Sequence, residues 1–182
     1  MKDIRKLAYL FFFLSLLFGI MWYTLGSIDK SIFWQILTVL SLGWFVFEAE
    51  RNWKDKKRIK KSLMIGLLLF IGTFFLDYSG LLNQGYTINR DYSLFAVGAD
   101  PIELLLIVFF GGSAWFMQLP KKFSLGYSIA DVFLLAFFGT ITEIMLNRYG
   151  IMAYLTVDSF NAFVTYSMVW GILHLLNYKV FK

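Results

Sequence analysis

Cysteine is absent from the 182 residues, which excludes disulfides, thiolate catalysis and thiolate-held metal and leaves no trace of the redox state of the compartment. Histidine occurs once, at His174, so the histidine-rich metal clusters of membrane desaturases and hydroxylases are excluded, and no metal site is expected. Proline occurs twice, at Pro101 and Pro120, and the two bracket a single apolar run. Charged residues make up 16% of the chain and gather between apolar stretches, which leaves no room for a soluble domain of any size. What fills the chain is apolar: 59% of residues are hydrophobic and 20% aromatic, with 21 phenylalanines, a composition outside the soluble range.

Apolar runs cover 7–25, 31–49, 62–80, 102–119, 127–147 and 158–178. A hydrocarbon core about 30 Å thick needs roughly 20 helical residues per crossing. The pattern therefore predicts an all-α polytopic membrane bundle of six transmembrane helices, a single integral membrane domain over 1–182. The first run is too long for the apolar core of a signal peptide and is expected to remain as the first helix. With the N-terminus inside, fourteen Lys and Arg fall on the cytoplasmic side and three (Lys30, Arg90 and Arg148) on the other. The positive-inside rule then puts both termini in the cytoplasm, with the protein in the cell membrane. The basic run 51–61 reads as a topology signal that also touches anionic lipid headgroups. Nucleic acid is not expected as a partner, because no domain presents that run.

Three acids lie within or at the mouths of apolar runs: Asp77, Glu103 and Glu143. Carboxylates at membrane depth are costly and usually face a protein interior. In this topology all three reach the outer leaflet, and the segment 78–100 is long enough to fold back over them. Thr140, Glu143 and Asn147 recur at helical spacing, as do Thr73 and Asp77. Such polar stripes fit a ligand-filled cavity, and interhelical hydrogen bonding explains them as well. Pro101 suits a first helical turn, with Asp100 at the N-cap. For Glu103 a macrodipole role and a pocket role both stay open. Gly111, Gly112 and Ser113 are expected to allow close helix contact. His174 is expected to be a hydrogen-bonded structural residue, and Glu48, Glu50 and Asp131 interfacial ion-pair partners.

Asp77, then 81–89 (LLNQGYTIN), then 99–110 (ADPIELLLIVFF), resembles the membrane lycopene cyclase domain family, in which a helix-ending Asp precedes a Gly-aromatic turn and a Pro-x-Glu-Glu motif opens a Phe-rich helix. The matching positions are Asp77, Gly85, Tyr86, Pro101, Glu103, Phe109 and Phe110. Leu104 stands in place of the second Glu, and Tyr86 where the family favours Trp. Glu143 with 147–154 (NRYGIMAY) is similar to the related carotenoid hydratases. The resemblance implies cofactor-independent acid catalysis on a lipid-soluble isoprenoid, a carotenoid or another polyprenyl chain. A carboxylic acid would protonate a double bond, and a second double bond or water would capture the cation. Glu103 is expected as principal acid, with Glu143 and Asp77 as partner carboxylates. Tyr86, Asn147, Tyr154, Tyr166 and Trp170 are expected to bind substrate, since aromatic faces stabilise cations. Family members often pair subunits, so a homo- or hetero-oligomer remains open. The same acids would also serve a small proton-coupled transporter or a non-catalytic membrane scaffold.

Overall fold

The computed structural model describes residues 2–27, 32–78, 85–89, 91, 93–97, 100–156 and 158–179. Among the described residues six helices carry the fold: α1 (Lys2–Ser27), α2 (Phe33–Arg51), α3 (Lys56–Tyr78), α4 (Ile102–Gln118), α5 (Leu125–Arg148) and α6 (Ser159–Lys179). Short strands β1 (Tyr86–Ile88), β2 (Ala96–Val97), β3 (Asp100–Pro101) and β4 (Met152–Tyr154) join them. The helices begin earlier than the apolar runs where charges precede them. Lys and Arg are good helix formers, so α1 and α3 extend back through basic residues to Lys2 and Lys56.

Helix ends follow local chemistry. Asp55 caps α3 by accepting from the Arg58 backbone N–H at 3.1 Å, and Asp158 caps α6 by accepting from that of Asn161 at 2.8 Å. α5 ends in Gly150 at φ 72°, a left-handed conformation that glycine adopts without cost. The Ile151 N–H then closes on the Leu146 carbonyl at 2.9 Å and turns the chain into β4. The expected Asp100 cap is corrected: Asp100 belongs to β3, and the N-cap of α4 is Pro101, whose side chain caps nothing. The pairing of β3 with β2 holds the Asp100 backbone extended ahead of the helix.

α4 packs between α2 and α3, α1 joins α2 to α5, and α6 lies on α5. The core has two parts. One gathers Leu10, Ile65, Trp115, Leu119 and Phe138, the other Met21, Phe33, Trp34, Met145 and Ile151. Small residues set the α3–α4 spacing. A Cβ on Gly66 would stand 2.5 Å from the Phe109 carbonyl oxygen and overlap Ser113 Oγ, and one on Gly112 would overlap Leu69. Gly111 has nothing within 4 Å, so the close approach belongs to Gly112 and Ser113.

Among the described residues, three helices are long and apolar enough to cross a membrane, within Ile4–Gly26, Leu125–Arg148 and Ser159–Lys179. α4 is apolar but has 17 residues, and the bounds of α2 and α3 take in Glu48, Glu50, Arg51 and the basic turn from Lys56.

Candidate functional site

Glu143 sits about a turn and a half before the end of α5, where the helix passes between α1 and α6. Its carboxylate accepts from the Tyr166 hydroxyl of α6 at 2.5 Å and from the Tyr154 hydroxyl of β4 at 3.1 Å. Burial first, then the charge of Glu143, pushes the Tyr154 phenol up to about 12, so it remains a donor at neutral pH. β4 is held in place by β1, with Tyr86 opposite Tyr154 and Ile88 opposite Met152. The segment between α3 and α4 thus reaches the site through β1.

Glu143 and Tyr166 line a cavity of about 210 Å³ whose other walls are mostly apolar, including Met21, Leu37, Ile88, Ile107 and Met152. Every helix except α3 contributes a wall among the described residues. Trp34 is 2% exposed and lines the same cavity, and its indole N–H has no hydrogen-bond partner among the described residues. Leu104 also faces the cavity. The position where the resemblance would place a second glutamate is therefore a wall of hydrocarbon.

Glu103 faces another way. It is 3% exposed, and its carboxylate accepts from Gln35 Nε2 at 3.0 Å, Ser93 Oγ at 2.6 Å and the Leu94 backbone N–H at 2.8 Å. Each of these partners donates, so Glu103 is an acceptor that ties 93–94 to α2 and α4. Among the described residues, Glu103 and Glu143 share no partner and no cavity wall.

The other expected positions scatter. Asn147 is exposed and borders a separate shallow dent with Tyr154 and Arg148. Trp170 packs edge-on against Trp115, ring centroids 4.8 Å apart, in the other half of the core. The Thr140 hydroxyl is spent on the Ala136 carbonyl at 2.8 Å. The side chains of Asp77 and Tyr86 lie outside the described residues. Of the eight positions, Glu143, Tyr154 and Tyr166 come together around one carboxylate.

A second buried polar group was not anticipated. Asp131 is fully buried, and its Oδ2 accepts from Trp115 Nε1 at 2.8 Å and meets His174 Nε2 at 2.7 Å. The expectation of an interfacial ion pair is corrected here, because Asp131 points between α4 and α6 and finds its donors there. A lone Asp early in an apolar run and a lone His late in another were the available signal. Nothing local pairs residues 43 apart. Glu48 does pair with a cation, Arg51 at 2.7 Å. The chain matches no protein-family model, no curated protein and no solved structure.

Proposed function

We propose that the protein is a membrane enzyme of the lycopene cyclase kind, crossing the cell membrane six times with both termini cytoplasmic. It isomerises the end of a carotenoid or other polyprenyl chain by proton transfer from Glu143. The observation that carries this reading is the Glu143 carboxyl, held by two phenols in the wall of an apolar cavity. Cavity size narrows the substrate. Whole drug-sized ligands occupy roughly 300–1,000 Å³, whereas about 210 Å³ takes in only the end of a long hydrocarbon.

The chemistry balances without a cofactor. The Glu143 carboxylic acid gives its proton to a terminal double bond, forming a C–H bond and a carbocation at the more substituted carbon. A second double bond of the same chain attacks that carbon and closes a ring. The new cation then loses a proton to the Glu143 carboxylate, which restores the acid, so the product is an isomer of the substrate. The Tyr154 and Tyr166 hydroxyls donate to the carboxylate while it is ionised. The aromatic faces of Tyr166 and Trp34 stabilise the cation. Glu103 serves as the tether that keeps 93–94 against the bundle.

Carotenoid extraction from cells that express the protein and make lycopene tests this directly. The wild type is expected to yield a cyclised isomer, and Glu143→Gln to lower the yield by about 10²–10⁴-fold, the range for loss of a general acid. Glu103→Gln is expected to retain turnover while losing about 1–3 kcal/mol of stability, since an amide cannot accept from all three donors. No cyclised product from the wild type, or full activity in Glu143→Gln, would overturn the assignment.

A further inference from the structure

About five turns, or 27 Å, back along α5 from Glu143 lies the opposite end of the bundle. There the start of α3, the ends of α4 and α6 and the approach to α5 surround a second cavity, of about 780 Å³. Six cationic side chains line it (Lys57, Arg58, Lys61, Lys121, Lys122 and Lys179) against one carboxylate, Asp55.

The carboxylate is already used. Asp55 accepts from Lys121 Nζ at 2.8 Å and caps α3. Arg58 is fixed: its guanidinium donates to the carbonyl oxygens of Phe116 at 3.2 Å, Met117 at 3.0 Å and Leu119, which closes the end of α4. Lys57, Lys122 and Lys179 form no ion pair among the described residues.

His174 lines the cavity, is 3% exposed, and is held at Nε2 by Asp131 Oδ2 at 2.7 Å, which fixes its ring in the wall. A topology signal requires only that Lys and Arg stay on one side of the membrane. It does not require them to surround a cavity. Phe123 and Leu175 add apolar wall to the same cavity.

We propose that this cavity binds a phosphate-bearing group, carried by an anionic membrane lipid or by a soluble phosphate. Its lysines supply both the charge and the hydrogen-bond donors.

The test uses the full chain in neutral detergent, titrated with dioctanoyl phosphatidic acid, dioctanoyl phosphatidylcholine and pyrophosphate. Binding is read from native mass spectra and from the fluorescence of Trp115, whose ring lies 5.4 Å from that of His174. Phosphatidic acid is expected to bind about tenfold or more tighter than phosphatidylcholine, and less tightly as salt rises. The triple variant Lys57→Ala, Lys122→Ala, Lys179→Ala is expected to lose about tenfold or more in affinity. The charge-matched variant Lys54→Ala, Lys56→Ala, Lys60→Ala, outside the cavity, is expected to bind as the wild type does. Phosphatidic acid binding that pyrophosphate does not displace makes the source a lipid, and pyrophosphate binding with equal affinity makes it a soluble phosphate. Failure of both phosphate probes, or equal loss in the two triple variants, would overturn the site.

Discussion

Glu103 and Leu104 are neighbours on α4 yet meet different surroundings, because successive helical residues point about 100° apart. Leu104 faces the apolar cavity, and Glu103 faces Gln35 of α2 together with Ser93 and the Leu94 backbone N–H. One step of helix thus separates an acid that holds structure from a position that touches substrate in the proposed reaction. Tyr154 gives this scale a pH test. Its phenol ionises at about 12 in the folded protein against an ordinary value of 10.0. A raised folded value means that its contribution to stability is complete below about pH 10 and is lost as pH rises toward 12. Ultraviolet titration of the tyrosines should find one phenol ionising near pH 12 that is missing from Tyr154→Phe. Thermal melts should fall across that interval more steeply in the wild type than in Tyr154→Phe.

At the scale of elements, α3 and α4 meet where side chains are smallest. Gly66 leaves no room for a methyl group against the Phe109 carbonyl and Ser113, and Gly72, less than two turns further along α3, has nothing within 4 Å. Gly66→Ala should therefore force the helices apart and cost about 1–3 kcal/mol. Gly72→Ala should be neutral or stabilising by up to about 1 kcal/mol, since alanine is the better helix former. Unfolding in mixed micelles measures both; similar losses in the two variants would contradict this packing. Element ends were partly legible in the sequence: the six apolar runs correspond to the six helices. Asp55 and the start of α3 were hidden, because a basic stretch reads as loop until its helical propensity and cap are weighed together.

Seen whole, the molecule turns much of its apolar surface outward. Only 17% of the apolar window in α1 and 11% of that in α6 is buried within the chain. Exposed Phe11, Phe12, Phe160 and Met168 belong to these faces. In water such surfaces would aggregate, whereas lipid or another apolar partner accommodates them. The proposed orientation puts Lys54 in the cytoplasm and Asp158 outside. Because the chain has no cysteine, a single introduced thiol reports its side without background. A membrane-impermeant maleimide should label Asp158→Cys on intact cells and Lys54→Cys only after permeabilisation. The reverse pattern would invert the topology.

The sequence by itself determined the all-helical class of this protein and the six helices among its described residues, since helix formation and apolarity depend on residues within a few turns of one another. It also marked Asp77, Glu103 and Glu143 as acids within or at the mouths of apolar runs, and put Glu103 first among them. Only the tertiary structure decided which acid meets the cavity, that Tyr154 and Tyr166 join it, and that Asp131, His174 and Trp115 form one buried group beside a ring of lysines. Those outcomes depend on how each helix is rotated about its axis against its neighbours. That rotation is set by contacts such as Gly66 on Ser113 or β1 on β4, between residues far apart in the chain, and no local pattern encodes it.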